Sequence, residues 1–257
     1  MPSGYPVALE QLPDSTVDAG RYRVGFARNR KTLEEILQLR YQVFNLELDE
    51  GLAASHATGR DEDELDQRFH HLMITDREDG RVVGTYRLQT AEMASALGGF
   101  YTAGEFELAG FPPELLARSV EIGRACVARD HRNGRVLHLL WRGLASYLSW
   151  NRKSALFGCC SLTSQDQALG VATLRHLERL GHLHPEVRID PLASTRCDAD
   201  GSPLPAPHVP ALFQSYLDLG ARVCGPPAID RLFQTIDFLV LLDVETLPRR
   251  TVRSFFR

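Results

Sequence analysis

The sequence predicts one α/β domain built on a mixed sheet, with antiparallel strands early and a strand–helix–strand crossover in the middle. Three observations predict it. Residues 69–75 and 81–90 are strand patterns joined by a turn ending in Asp79-Gly80, the clearest hairpin in the chain. Residues 119–128 read as a strand that passes through a polar loop into the apolar helix 136–150, with strand again at 155–162. The 257 residues are 44% hydrophobic and 24% charged, enough to bury a core and unlike a disordered, collagen-like or disulfide-stapled chain. The early strands pair without intervening helices, which disfavours a purely doubly wound sheet.

Tyr22 to Ala27 alternates and opens the chain as a short strand. Asn29 is placed to cap a helix over 31–46, where Leu33, Ile36, Leu37, Leu39, Arg40 and Phe44 recur at helical spacing. Small residues make 51–59 a loop, and an acidic run, Asp61 to Asp66, precedes the hairpin. In its return strand Val83, Thr85 and Arg87 share a face. Gly98-Gly99 and Pro112-Pro113 punctuate a variable stretch before the strand at 119. Ser164 is expected to cap a helix over 165–180, and 182–210, rich in Pro, Asp, Ser and His, reads as an extended loop. A short helix at 211–219 and a strand at 236–243 complete the core, followed by a basic, aromatic tail. The organisation expected is an N-terminal extension (1–20), one domain (21–247) and the tail (248–257).

Several classes are excluded. A net charge of −4 gives no electrostatic case for nucleic acid. No apolar run reaches the ~20 residues that span a bilayer, and residues 1–20 show no secretory pattern, so a cytoplasmic location is expected. Five cysteines, an odd number with no C-x-x-C pair, read as buried thiols rather than as a disulfide or metal framework. His70 and His71 on a strand point to opposite faces and cannot chelate together. G-x-S-x-G and Walker-type loops are absent. No metal is expected. Lysine occurs only at Lys31 and Lys153, so arginine supplies 27 of the 29 basic residues, a bias that carries no function by itself.

Three segments carry candidate chemistry. Residues 127–135 join a strand to a helix, where free N–H groups and Arg129, Arg132 and Arg135 suit a phosphate; an ordinary connection reads equally well. Glu121, Gly123 and Ala125 share one face of the strand feeding that loop, and a carboxylate there suits a general base or an ion pair with Arg124 or Arg87. The acidic run suits a cationic substrate or simply a solvated loop.

Together these pieces resemble a GNAT-type N-acyltransferase. The resemblance rests on Arg40-Tyr41-Gln42-Val43-Phe44, Asp63-Glu64-Leu65-Asp66 with His71-Leu72, and Val82 to Leu88. Phe100-Tyr101 with Glu105-Phe106, Glu121-Ile122-Gly123-Arg124, Leu156 to Ser161, and Gly220 to Ala228 with Asp230, Phe233 and Asp237 extend it in order over roughly residues 20–245. It is nearest to the ornithine N-acyltransferases that make lyso-ornithine lipid. Acyl-homoserine lactone synthases share a subset: Arg40, Phe44, Asp63, Asp66, Arg87, Glu121 and Arg124.

The resemblance implies a central, mostly antiparallel mixed sheet flanked by helices, with a splay between strands that admits an acyl donor. It implies an amide-forming acyltransferase with no bound cofactor, using the acyl-phosphopantetheine of acyl carrier protein as co-substrate and an amino acid, ornithine, as acceptor. Glu121 would take the proton from the α-amine, with Arg124 beside it. Arg40, Asp63, Asp66, Arg87 and Ser161 would bind the amino substrate: the acids its cationic groups, Arg87 or Arg124 its carboxylate. Backbone N–H groups at Cys126 and Val127 would polarise the thioester carbonyl, and Arg132, Gly134 and Arg135 would hold the donor phosphate. The loop carries one glycine, Gly134, which suits a donor with a single phosphodiester. A lactone-forming signal synthase and a non-catalytic acyl-binding module are the competing expectations. Arg249, Arg250, Arg253 and Arg257 with Phe255 and Phe256 read either as a solvated end or as a peripheral contact with an anionic inner-membrane surface, each cation contributing ~1 kcal/mol.

Overall fold

In the computed structural model, which describes residues 5–14, 16–199 and 208–255, Val17–Ala19 (β1) pairs antiparallel with Tyr22–Phe26 (β2). The chain continues through Arg30–Arg40 (α1), Ser55–Thr58 (α2), His70–Asp76 (β3), Val82–Thr90 (β4), Ala91–Leu97 (α3) and Pro113–Ala117 (α4). Then come Ser119–Val127 (β5), Arg135–Trp150 (α5), Ala155–Leu162 (β6), Gln167–Arg179 (α6) and Ala211–Leu219 (α7). Arg222–Val223 (β7), Ala228–Asp230 (β8), Thr235–Asp243 (β9) and Arg249–Phe255 (α8) end the described chain. The sheet runs β1-β2-β3-β4-β5-β6-β9-β7, with β8 also paired to β9. Every pairing is antiparallel except β5 with β6, which the α5 crossover joins in parallel. No helix among the described residues is long and apolar enough to cross a membrane.

Strand alternation divides the core. Leu156, Phe238, Val240 and Leu242 belong to one apolar cluster, and Phe157, Leu239 and Leu241 to a second on the other face of β6 and β9. Helix α5 lies close on the first: a side chain at Gly84 would meet Val136, and one at Gly143 would meet Leu72.

Two features of β5 open the site. It pairs with β6 only at Ser119, Val120 and Glu121, after which the strands diverge. At the divergence Gly158 passes so close to β5 that a Cβ would sit 2.1 Å from the Ile122 carbonyl oxygen. Further on, Arg87 faces Gly123 while Thr85 faces Cys126, so β5 carries one extra residue, and Arg124 sits there at φ 47°.

Several expectations change. The helix expected over 31–46 is α-helical only to Arg40; residues Tyr41–Glu47 widen to a π-helical spacing that ends with Leu48 N–H donating to Val43. Asp166, not Ser164, caps α6 by accepting from Ala168 N–H at 3.0 Å. The extended loop is packed rather than free: Ile189 N–H donates to Cys224, Leu192 N–H to Glu105, and Ile229 N–H to Thr195. Residues 200–207 of that loop lie outside the described residues. The segment set apart as an extension supplies β1 and the fully buried Leu12. In the tail, Phe255 packs on Trp141 and His138 at ring separations of 5.9 and 5.3 Å, so it is neither frayed nor free for a bilayer. Phe256 and Arg257 lie outside the described residues.

Candidate functional site

A cavity of about 310 Å³ fills the gap where β5 and β6 part. One arm is apolar, walled by Leu156, Leu212, Phe213, Tyr216, Val240 and Leu242. The other end is polar and presents Glu121, Arg124, Tyr101, Cys159, Ser161 and Asp237. An apolar tunnel meeting a few convergent polar groups suits a long-chain substrate with a reacting head.

Glu121 is 2% exposed and lines the cavity. Its carboxylate accepts from Tyr101 N–H at 3.0 Å, from Thr102 N–H at 2.8 Å and from the Thr102 hydroxyl. Burial raises its pKa above the ordinary carboxylate range, while these donors oppose the shift.

The acids expected to hold a cationic substrate are already paired. Arg40, fully buried, donates to Asp61 at 2.8 Å and to Asp66 at 2.5 Å; Arg87 donates to Asp63 at 2.6 Å and to Asp66 at 3.1 Å. Burial opposes ionisation of Asp66, yet Arg40 and Arg87 outweigh it and hold its pKa well below the usual range. Arg40, Asp63 and Asp66 therefore form an ion network outside the cavity lining, and the acidic run is only partly solvated: Asp61 and Asp66 are buried while Glu64 is exposed. Arg87 and Arg124 do reach the cavity. Arg87 spends Nη1 on the acids while its buried Nε has no hydrogen-bond partner among the described residues. The Arg124 guanidinium lies 3.7 Å from the Phe233 ring centroid, 3.6 Å from Asp61, and its buried Nη2 makes no hydrogen bond. Neither arginine pairs with Glu121.

The expected donor loop stands apart from the cavity. Arg132 donates to Glu47 at 2.9 Å and to the Val127 carbonyl at 3.0 Å, and Arg135 donates to the Ala19 carbonyl at 3.1 Å. Gly134, at φ 80°, turns the chain into α5. None of the three lines the cavity, because protein acceptors hold both arginines beside the loop. Cys126 is buried, which pushes its thiol up to about 12. Ala128 N–H donates to Val83, so alternation aims the Cys126 amide at Thr85 and turns Val127 N–H and C=O toward the side that β6 vacates. Cys126 is thus a ladder residue, and neither it nor Val127, whose carbonyl Arg132 holds, lines the cavity.

Sequence reasoning gave no role to a cluster at the polar end. Tyr101 spans it: its N–H holds Glu121, and its hydroxyl donates to Asp230 at 3.1 Å. Beside it, polar atoms of Glu105, Cys159 and Asp237 all lie within 4.8 Å of one another. Burial and the neighbouring acids Asp237 and Asp230 push Glu105 up to about 9; burial, with Asp230, pushes Asp237 up to about 6. A signal existed: Asp237 is a charge inside the otherwise apolar run Ile236 to Leu242, which only a paired or functional group explains.

Residues 39–142 match the acetyltransferase (GNAT) domain family. A crystal structure of the AHL synthase LasI superposes with a TM-score of 0.50 at 14% identity, covering 94% of this chain and 95% of that one, so the two share a fold. The matched segment, residues 39–142, is thus of the GNAT acetyltransferase class. The L-ornithine N(alpha)-acyltransferase of Agrobacterium fabrum is 31% identical over 92% of this chain and 85% of its own length. That of Rhodobacter capsulatus is 32% identical over 91% and 94%. The chain belongs to this L-ornithine N(alpha)-acyltransferase family.

Proposed function

We propose that the chain moves a long 3-hydroxyacyl group from the phosphopantetheine thioester of acyl carrier protein to the α-amine of ornithine, giving a lyso-ornithine lipid. The observation that carries this reading is the continuity of the cavity. Its apolar arm beside α7 runs to a buried carboxylate, Glu121, where β5 and β6 separate.

The chemistry needs a neutral amine, a held carbonyl and a stabilised oxyanion. An α-amine loses its proton at a pKa near ~8, against ~10.4 for a side-chain amine, so a modest base suffices and favours the α-position. Glu121 takes that proton, directly or through a water. Three donors occupy part of its acceptor capacity, and a carboxylate offers about four lone-pair sites, so one remains. The amine forms the C–N bond, the tetrahedral oxyanion collapses, and the C–S bond breaks to release the pantetheine thiolate, which regains a proton. A backbone N–H of β5 beyond its last pairing with β6 would serve the oxyanion. Arg124, whose Nη2 makes no hydrogen bond and meets Asp61 only at ion-pair distance, 3.6 Å, is the arginine that grips the substrate carboxylate in this reading. Ser161 borders the same pocket.

A product of this kind belongs in a bilayer. Arg249, Arg250 and Arg253 are exposed on α8 and offer charge to an anionic surface. Replacing all three with Ala should reduce flotation with anionic vesicles; unchanged flotation removes this contact.

The test is product identification. Purified chain is incubated with 3-hydroxyacyl carrier protein and ornithine, lysine, glycine or S-adenosylmethionine, and the products are read by mass spectrometry. An α-N-acylornithine is expected. A lactone from S-adenosylmethionine, or no acylated amine at all, overturns the reading, and acyl-coenzyme A in parallel tests the donor.

A further inference from the structure

Glu105 and Asp237 are 6% and 3% exposed. Glu105 Oε1, Asp237 Oδ1 and the neighbouring Thr235 Oγ1 are buried with no hydrogen-bond partner among the described residues. Asp237 and Thr235 line the cavity. Three other buried acids meet arginines, Asp61 and Asp66 at Arg40 and Asp76 at Arg21, while Glu121 meets backbone amides and a hydroxyl instead. Among the described residues no ion pair reaches Glu105, Asp230 or Asp237. Asp237 stands in the cavity wall with Glu105 directly behind it, within 4.8 Å, and neither has a counter-charge among the described residues.

We propose that Glu105 and Asp237, with Asp230 behind Tyr101, form a subsite for the side-chain ammonium of the amino-acid substrate and so select a basic side chain over a neutral one. The inference rests on the reading that places the α-amine at Glu121.

Spacing supports it. Glu121 pairs with Phe157, and Cys159, whose thiol points at Glu105, lies two residues further along β6, about 7 Å away. The five single bonds between the two nitrogens of ornithine, at ~1.5 Å each, span roughly 6 Å when extended. Tyr101 bridges the same two ends, with its amide on Glu121 and its hydroxyl on Asp230.

Charge supports it too. Two carboxyls this close share a proton, so near neutral pH the pair carries one negative charge, the complement of one ammonium. An arriving ammonium supplies the counter-ion that the fold withholds, whereas an apolar side chain leaves the acids desolvated and unpaired. A divalent ion fits less well. It would need Cys159 as thiolate, and burial drives that thiol well above its ordinary pKa.

The test uses the full chain. Binding of ornithine and of norvaline, the same skeleton without the terminal amine, is measured by calorimetry for the wild type, Asp237→Asn and Glu105→Gln. The wild type is expected to prefer ornithine by at least about tenfold, the scale of one charge-assisted hydrogen bond. Asp237→Asn removes the charge of the pair and should bring the ornithine-to-norvaline ratio toward one, whereas Glu105→Gln replaces a protonated carboxyl and should move the ratio less. A ratio unmoved in Asp237→Asn, or a wild type blind to the amine, overturns the subsite; so does a divalent ion that binds there and excludes ornithine. Acyl transfer is assayed on the same samples. Charge-selective binding without N-acylornithine would sink the proposed function and leave the subsite standing. Turnover whose ornithine preference survives Asp237→Asn would sink the subsite alone.

Discussion

Asp66 faces Arg40 and Arg87 and stays ionised; Glu105 faces Asp237 and keeps its proton; Glu121 faces two backbone amides and a hydroxyl, with its pKa raised by burial. Different partners give three buried carboxyls three different chemistries. For Glu105 the consequence is a pH dependence of stability. The folded chain holds a proton that the unfolded chain releases at about 4.5, so stability falls as pH rises from there toward about 9. Glu105→Gln removes that titration, so its melting temperature should drop less than that of the wild type between pH 5 and pH 8. Parallel curves would show that Glu105 does not hold the proton. Glu121→Gln tests the base. It turns one acceptor oxygen into a donor facing Tyr101 N–H or Thr102 N–H, and should cost about 1–3 kcal/mol of stability in urea melts. Its kcat should fall about 10²–10⁴-fold with folding retained. Near-normal turnover would take Glu121 out of the proton transfer.

The β5–β6 pair shows what an element adds to its residues. Three paired residues, then divergence past Gly158, make the opening that holds the cavity. Gly158→Ala would set a Cβ against the Ile122 carbonyl oxygen in backbone that has no room to yield. A loss of about 1–3 kcal/mol in urea midpoint analysis is expected, with acyl transfer reduced at temperatures where the variant is still folded. An unchanged midpoint would show that the strands part for another reason. The bulge at Arg124 acts in the same element. A regular strand would keep Gly123 and Ala125 on the face of Glu121; the extra residue breaks that alternation and carries the Arg124 guanidinium to Phe233 at the cavity wall.

At the scale of the molecule, chain segments that looked peripheral close the domain. β1 lengthens the sheet, residues 184–197 brace the turn holding Glu105, and α8 lays Phe255 on Trp141. Leu156 and Leu242, which wall the apolar arm, also border the small cavity that Phe255 and Leu247 cover. A chain ending at Leu247 should therefore lose about 1 kcal/mol of stability, part of the value of a fully buried aromatic because Phe255 is half-buried, read from urea melts; an unchanged midpoint would make α8 dispensable to the fold. By itself the sequence determined the hairpin, the α5 crossover, the six longer strands and Glu121 on β5, because alternation, turn chemistry and helical spacing are local properties of neighbouring residues. Only the tertiary structure decided that Arg40 consumes Asp66, that Arg132 and Arg135 turn away from the cavity, and that Glu105 and Asp237 meet without a counter-ion. Residues 132 positions apart along the chain were brought together there, and the charge state of a buried carboxyl depends on the groups that face it in space.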